Sequence, residues 1–281
     1  MDVCWLIDAD MFERYREQLV ADIRDLGHTA RTIHSPRPGY SWDDDGCSYR
    51  ETFAQDACVV VHGDIDLSTR VHRENRWTPG AFGTVDNLAC SSYFCHFGRY
   101  LLNRDYIMLP FAELERCSDF LFDCLAVDDR LFLRPDSPLK LFTGQIATRA
   151  TFDADLEFMG FYDFPRNALV VVSSPKNVVA EWRFVVADQR VVAGSEYTRN
   201  GIFDPKPNDD QHAHDLAATV ASSGYQPDPV WVVDICQTAD GLYHLLEIGG
   251  FSFADLYETD KRAVVSAVSR VAIQLWSQRH A

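Results

Sequence analysis

Long apolar segments are absent from the sequence, and no run approaches the 18 consecutive apolar residues that indicate a membrane-spanning helix. The first ten positions, MDVCWLIDAD, already contain acidic residues, unlike the apolar core of a signal peptide. We therefore expect no membrane span and no secretory signal, and the cytoplasm is the expected location.

Basic residues are also scarce. The chain has 26 Lys and Arg residues against 42 Asp and Glu residues, which gives a formal net charge of -16. Proteins that bind nucleic acids or membrane surfaces need a basic footprint, so we expect no nucleic-acid partner and no membrane partner. A few local Arg and Lys side chains could still hold an anionic small molecule.

Cysteine pairs with metal-binding spacing are missing as well. None of the eight cysteines forms a CxxC pair, and most lie inside apolar runs such as DACVVV and DFLFDCLAV. This pattern predicts free thiols in a reducing compartment. Cys90 and Cys95 lie near His96, but no second ligand pair has zinc spacing, so we predict no zinc site there.

What the chain does contain is a short β-α-β pattern followed by a strand-rich region. A strand near residues 3–7, a helix near 10–27 with Gly27 as its stop signal, and an apolar strand at 57–63 form the first unit. The later region has mostly antiparallel strand patterns and helices near 209–223 and 255–278. The predicted fold class is α+β, with a small α/β domain at residues 1–78 and a larger α+β domain at 79–281.

The segment VVDICQTADGLYHLLEIGG, residues 232–250, predicts a β-hairpin that carries one acid on each strand. A type I′ turn at Asp240 and Gly241 would place Asp234 opposite Glu247, with Cβ atoms roughly 4.5–5.5 Å apart. The same register would pair Cys236 with Leu245. Two carboxylates so close repel, so either one takes up a proton or a cation such as Mg2+ lies between them. The alternative is a solvent-facing acidic pair at a sheet edge.

The segment LFLRPDSPLKLFTGQ ends a predicted strand in Arg134 and continues into a loop that contains Lys140. A bidentate Arg, a Lys and loop amides can bind phosphate oxygens together. The spacing does not match a Walker A loop. The alternative is an ion pair between Arg134 and Asp136.

The segment VVVSSPKNVVAEWRFVV places Glu181 and Arg183 on one face of a strand. The preceding SSPKN interrupts the strands, and its backbone could bind a flat heterocycle near Lys176. The alternative is a surface salt bridge. A turn at residues 188–189 would place Glu196 opposite Glu181.

The order of these segments resembles the ATP-grasp superfamily. LRPDSPLKLFTGQ, EWRFVV and VVDI…LLEIGGFSFADLY are similar to the small bacterial and phage clade in which an Arg occupies the usual strand lysine position. The resemblance covers roughly residues 79–278. It implies an ATP-grasp fold, in which two α+β subdomains sandwich ATP, preceded by a small α/β pre-ATP-grasp domain.

The resemblance also implies a site for ATP and Mg2+, in which Arg134 and Arg183 would be the catalytic residues. Its members would be Arg134 and Lys140 at the phosphates, Ser173, Ser174 and Lys176 at the adenine pocket, Glu181 at the ribose or the adenine edge, Arg183 at the phosphates or an acyl phosphate, and Asp234 and Glu247 at Mg2+. One departure is Gly249, which stands where the family usually has a metal-binding Asn. Ser252 or Asp255 could substitute for it.

The function implied is an ATP-dependent carboxylate-amine ligase that works through an acyl phosphate and releases ADP and phosphate. Its partners would be small-molecule or peptide carboxylates and amines. The alternatives are a catalytically impaired nucleotide-binding regulatory protein and an ATP-grasp kinase. Loops at 40–51 and 200–214 are long enough to close over a site, where His212 and His214 could touch substrate. The sequence predicts neither the substrates nor an oligomeric state.

Overall fold

A computed structural model describes residues 1–36, 42, 49–161 and 164–281. Most of the predicted loop at 40–51 therefore lies outside the described residues. In the described part of the chain, none of the helices has the length and apolarity to cross a membrane. The described strands form three sheets.

The first sheet is parallel and has the strand order β2-β1-β3-β4. Its strands are β1 (Cys4–Asp8), β2 (Thr29–Ile33), β3 (Cys58–His62) and β4 (Thr78–Gly80), and its helices are α1 (Arg16–Asp25) and α2 (Ile65–Glu74). The predicted β-α-β pattern is confirmed. Helix α1 begins later than predicted, because Phe12 has a left-handed backbone (φ 57) that no α-helix accommodates. Gly27 follows the helix with φ 80, as expected of a stop signal.

The second sheet is antiparallel and has the strand order β5-β8-β6-β7. It contains β5 (Tyr106–Pro110), β6 (Arg130–Pro135), β7 (Gln145–Thr148) and β8 (Leu169–Ser173). The helices of this region are α3 (Val85–Leu88), α4 (Cys90–Phe97), α5 (Ser118–Leu125) and α6 (Phe152–Gly160). Apolar side chains of α5 and α6, such as Leu121 and Phe152, share a core with Leu133 and Val172 of the sheet.

The third sheet is antiparallel and has the strand order β11-β10-β9-β12-β13. It contains β9 (Val178–Ala187), β10 (Arg190–Arg199), β11 (Ile202–Pro207), β12 (Val230–Thr238) and β13 (Tyr243–Gly250), and the chain adds α7 (Gln211–Ala221) and α8 (Lys261–Arg279). The predicted loop at 200–214 was wrong, because it contains β11 and the start of α7. Both late helices are confirmed.

One apolar core joins the first and third sheets through α8. Trp5 of β1, Val232 of β12 and Val268 of α8 belong to the same buried cluster, and Trp5 Nε1 donates a hydrogen bond to Ser269 Oγ at 3.1 Å. The boundary between residues 78 and 79 stays a prediction. It falls within β4, the edge strand of the first sheet.

The β12-β13 hairpin has a different turn from the predicted one. Of Asp240 and Gly241, only Gly241 has a positive φ (84), and the backbone N–H of Thr238 donates to the carbonyl of Leu242 at 2.9 Å. The turn therefore has three residues and ends in a left-handed glycine, rather than being a two-residue type I′ turn. As a result Cys236 pairs with His244, not with Leu245 as predicted.

A β-bulge later in the same hairpin compensates for this shift. Ile235 pairs with Leu245, whereas Asp234 pairs with Glu247, so Leu246 is the additional residue of the bulge. The predicted alignment of Asp234 with Glu247 is confirmed, although the path to it was wrong.

The β9-β10 hairpin turns at Asp188 and Gln189, as predicted, and both residues have positive φ (51 and 61). Two irregularities along the strands then place Thr198, not Glu196, opposite Glu181. The predicted facing of Glu196 and Glu181 was therefore wrong.

Candidate functional site

A cavity of about 380 Å³ is lined by residues of the second and third sheets. Strand β6 and the loop after it contribute Arg134 and Lys140, while β9 and β13 contribute Glu181, Arg183 and Glu247. The structure thus brings five of the predicted site residues around one space. They come from segments far apart in the sequence, because the two sheets face each other across the cavity.

Arg134 connects the two sides of the cavity. Its Nη2 donates a hydrogen bond to Glu247 Oε2 at 2.9 Å, and its side chain is 16% exposed. The alternative partner, Asp136, instead accepts hydrogen bonds from the backbone N–H and the hydroxyl of Ser91, at 2.6 and 2.9 Å. The Arg134 guanidinium therefore faces the cavity rather than its own loop.

Arg183 is held more rigidly than Arg134. Arg183 and Asp234 are opposite each other on β9 and β12, and Nε and Nη2 donate to the two carboxylate oxygens at 2.8 and 2.7 Å. Nη1 donates to the backbone carbonyl of Asp255 at 3.3 Å. A guanidinium has five N–H groups. With respect to the described residues, two of these donors remain for a ligand.

The two acids of the hairpin differ in their electrostatics. Burial raises the pKa of Asp234 and outweighs the opposing charge of Arg183. Burial also acts on Glu247, but the guanidinium groups of Arg134 and Arg183 prevail and hold its pKa below the ordinary value. Glu247 is 39% exposed at its side chain, whereas Asp234 is 2% exposed. Glu247 is therefore the open anionic ligand, and Asp234 lies behind it.

Glu181 lies deeper in the same cavity. Tyr197 Oη donates a hydrogen bond to Glu181 Oε2 at 2.6 Å. Burial raises the pKa of Glu181, although this hydrogen bond opposes the rise. Lys140 is exposed, has a left-handed backbone (φ 52) and adds a positive charge at the cavity edge.

The predicted adenine-pocket side chains lie elsewhere. Ser174 and Lys176 line a separate cavity of about 550 Å³, where both donate hydrogen bonds to Asp105. Ser173 is fully buried, and its hydroxyl has no hydrogen-bond partner among the described residues. The structure therefore does not bring Ser174 and Lys176 to the charged cavity by their side chains, and their adenine role stays a prediction.

The donor set of the charged cavity fits Mg2+. Mg2+ takes oxygen ligands and is commonly held by one or two carboxylates together with substrate phosphates. Glu247 offers an open carboxylate, and Asp234 keeps lone pairs beyond the two that Arg183 occupies. Among the described residues, no cluster of three or more His, Cys, Asp and Glu side chains could hold a metal by itself. Phosphate oxygens would therefore have to complete the coordination.

Gly249 is a tight position rather than an empty one. It lines the cavity, and a Cβ atom added there would lie 3.1 Å from Val232 Cγ2. The suggested substitutes are already engaged, because Ser252 Oγ accepts a hydrogen bond from the Phe82 N–H at 2.8 Å and Asp255 Oδ1 accepts one from the Tyr257 N–H at 2.7 Å. Neither Ser252 nor Asp255 is among the residues that line the cavity.

His212 and His214 do not reach the site. The ring of His212 lies against Tyr243, and the ring of His214 lies against Phe184, on the face of the third sheet that α7 covers. Neither histidine lines the charged cavity.

Sequence reasoning gave no role to two tyrosines that surround Arg183. The ring centroids of Tyr197 and Tyr257 lie 5.9 and 5.2 Å from Arg183 Cζ, and the two rings stack at 4.7 Å. Tyr197 reaches this place through a strand irregularity, and Tyr257 through a left-handed loop residue. Neither feature has a signal in residue type or spacing.

Comparison with known proteins identifies the family. Residues 124–268, just over half of the chain, match the model of an ATP-grasp domain, family 3 of its clade. A search of curated proteins found no match.

Solved structures agree in fold along almost the whole chain, at low sequence identity. D-cycloserine synthetase DcsG superposes with a TM-score of 0.61 at 15% identity, covering 97% of this chain and 99% of that one. D-alanine–D-alanine ligase from Bacillus anthracis gives 0.57 at 11% identity, covering 99% of both chains. Macrocyclase MdnC from Microcystis aeruginosa, bound with precursor peptide MdnA, gives 0.56 at 14% identity, covering 97% of this chain and 99% of that one. The chain therefore has the ATP-grasp fold and belongs to the ATP-grasp family.

Proposed function

We propose that the protein is an ATP-dependent carboxylate-amine ligase that forms an amide or peptide bond through an acyl phosphate and releases ADP and phosphate. The observation that carries the proposal is the charged cavity, where Arg134, Lys140 and Arg183 meet the open carboxylate of Glu247. Phosphoryl transfer depends mainly on positioning and on neutralising the charge of the transferring group. A cavity with three cations and no need for a side-chain nucleophile suits that chemistry.

The side chains divide the work according to their mobility. Arg134 uses one of its N–H groups on Glu247, so it can turn toward phosphate oxygens. Arg183 is locked by Asp234 and Asp255, and its two remaining donors are pre-oriented toward the cavity for the terminal phosphate and the acyl phosphate. Lys140 adds a point charge from the loop. Glu181, oriented by Tyr197, would accept hydrogen bonds from the ribose or the adenine edge.

Asp234 and Glu247 would hold Mg2+, which neutralises phosphate charge when it arrives with ATP. The exposure of Glu247 supports this assignment, whereas Asp234 would act from behind Arg183. Ser173, Ser174 and Lys176 would contribute to adenine binding through backbone groups of the segment between β8 and β9. We keep residues 1–78 as a proposed pre-ATP-grasp domain and 79–281 as the proposed ATP-grasp domain.

The names of the structural neighbours support ligation and its substrate class. They include a synthetase, a D-alanine–D-alanine ligase and a macrocyclase bound with a precursor peptide. We extend from them the proposal that the substrates here are small-molecule or peptide carboxylates and amines.

Product analysis tests the proposal. The ligase should release ADP and phosphate only when a carboxylate and an amine are both supplied, and Arg183→Gln should abolish that release while Arg262→Gln, a change at an exposed arginine of α8, should not. ADP together with a stable phosphoester would instead indicate a kinase.

A nucleotide-binding regulatory protein without ligase chemistry is the second candidate, and Gly249 is the observation that favours it. Val232 lies so close to this position that a larger metal-binding side chain would need the strands to shift. Nucleotide binding without product from any acid and amine pair would favour this candidate over the ligase.

A further inference from the structure

Residues 255–261, which lie outside the strands of the site, contact Arg183 but have no role in the function proposed above. The carbonyl of Asp255 accepts a hydrogen bond from Arg183 Nη1 at 3.3 Å. The ring of Tyr257 lies 5.2 Å from Arg183 Cζ and stacks on Tyr197. Together these contacts fix the orientation of the guanidinium plane.

Tyr257 holds this position at a conformational cost. Its φ is 47, in the left-handed region that a bulky side chain avoids. The Tyr257 N–H donates to Asp255 Oδ1 at 2.7 Å, and the Tyr257 carbonyl accepts a hydrogen bond from Lys261 Nζ. Contacts from outside the residue therefore maintain the conformation.

Lys261 is a costly residue for its location. It is 6% exposed and is the first residue of α8, where the helix dipole disfavours a cation. Burial also lowers the pKa of its ammonium group. Its Nζ donates to the carbonyls of Tyr257 and Thr259, the latter at 2.9 Å. A buried cation whose hydrogen bonds go to one loop is suited to holding that loop.

Tyr15, which precedes α1, supports the same segment from the other side. Its hydroxyl accepts a hydrogen bond from the Leu256 N–H at 3.0 Å and lies 3.1 Å from His62 Nε2. The ammonium of Lys261 lies 4.8 Å from the centre of the Tyr15 ring. The segment is therefore fixed on both sides of Tyr257.

We propose that Tyr257 is a positioning residue for Arg183 and that Lys261 holds Tyr257 in its left-handed conformation. The stacked tyrosines and the Asp255 carbonyl leave the two remaining N–H donors of Arg183 one direction, toward the cavity. This inference rests on the proposed function, because it needs Arg183 to contact the terminal phosphate of ATP.

The ratio of two dissociation constants tests the inference without knowledge of the acceptor substrates. In the presence of Mg2+, calorimetry gives the affinity of a non-hydrolysable ATP analogue and of ADP for the full-length protein. Only the ATP analogue has a γ-phosphate, so its affinity divided by that of ADP isolates contacts to that group. Arg183→Gln is the reference variant and should lower this ratio by about tenfold or more, as expected for charge-assisted hydrogen bonds.

Lys261→Met keeps the packing of the side-chain stem but removes the ammonium, and it should also lower the ratio by about tenfold while the affinity for ADP stays within about twofold. Tyr257→Asn keeps a residue that tolerates the left-handed region and removes the ring, and it should have the same effect. Lys261→Arg should restore much of the ratio. Arg262→Met, at the exposed next position of α8, is the matched control and should leave the ratio unchanged.

The outcomes separate the inference from the function on which it rests. A normal ratio in Lys261→Met and Tyr257→Asn, with a reduced ratio in Arg183→Gln, would overturn the inference and leave the proposed function standing. Equal weakening of both nucleotides would indicate a purely structural role and would also overturn it. A normal ratio in Arg183→Gln would remove the proposed role of Arg183 itself. Should Lys261→Met fail to fold, Tyr257→Asn carries the test.

Discussion

Arg134 is the side chain that reaches across the cavity, and its hydrogen-bond partner there is the carboxylate of Glu247. This bond must be exchanged for phosphate oxygens when a nucleotide binds. We expect Arg134→Gln to weaken binding of a non-hydrolysable ATP analogue by at least about tenfold, both with and without Mg2+, because the lost contact is charge-assisted. Calorimetric titration measures this effect. Arg116→Gln, at an exposed arginine, is the control. Unchanged affinity in Arg134→Gln would contradict a phosphate role.

Glu181 gives a pH-dependent prediction at the same scale. Burial raises its pKa above the ordinary value of 4.5, against the hydrogen bond from Tyr197. The folded protein therefore holds the proton more tightly than the unfolded chain, and stability present below the unfolded value is lost as pH rises through the folded value. We expect Glu181→Gln to raise the free energy of unfolding at neutral pH and to flatten its decline above about pH 4.5. Urea unfolding at several pH values measures both; a parallel pH profile in the variant would refute the prediction.

At the scale of elements, the β12-β13 turn depends on one glycine. Gly241 has φ 84 and open space around its Cα, so Gly241→Ala meets backbone strain but no steric clash. We expect a loss of about 1 kcal/mol in the free energy of unfolding. Gly224 also has open space but no left-handed φ, so Gly224→Ala is the matched control and should be nearly neutral. Equal effects of the two substitutions would argue against the observed turn.

The strands and helices that were predicted well have strong apolar periodicity or strong stop signals, such as β3, α8 and Gly27. Their spacing alone specifies which face is buried. The hairpin registers were harder, because a β-bulge leaves no trace in residue type. Nothing distinguishes Leu246 from Leu245 in the sequence, yet one pairs and the other does not. Asp234 still met Glu247 because the extra turn residue and the bulge shift the register in opposite directions.

The site could be predicted as a set of charges but not as a geometry. Arg134, Arg183 and Glu247 could be found because each lies on a strand with a recognisable pattern. Their pairing across two sheets depends on how the sheets pack, which no local pattern encodes. Lys176 shows the same limit from the other side, because its partner Asp105 is 71 residues away in sequence.

At the scale of the whole molecule, the shared core implies cooperative unfolding. Trp5, Val232 and Val268 come from the first sheet, the third sheet and α8, and all three are buried in one cluster. We expect urea unfolding followed by tryptophan fluorescence and by far-ultraviolet circular dichroism to give coincident transitions. Two separated transitions would show that residues 1–78 unfold independently of the rest.

The most direct test of the account is calorimetric titration of the whole protein with a non-hydrolysable ATP analogue, with and without Mg2+. The charged cavity predicts binding that strengthens with Mg2+, and that this Mg2+ dependence disappears in Asp234→Asn and Glu247→Gln while the fold is retained. Absence of binding, or binding of equal strength with and without Mg2+ and in both variants, would contradict the assignment of this cavity to Mg2+ and ATP.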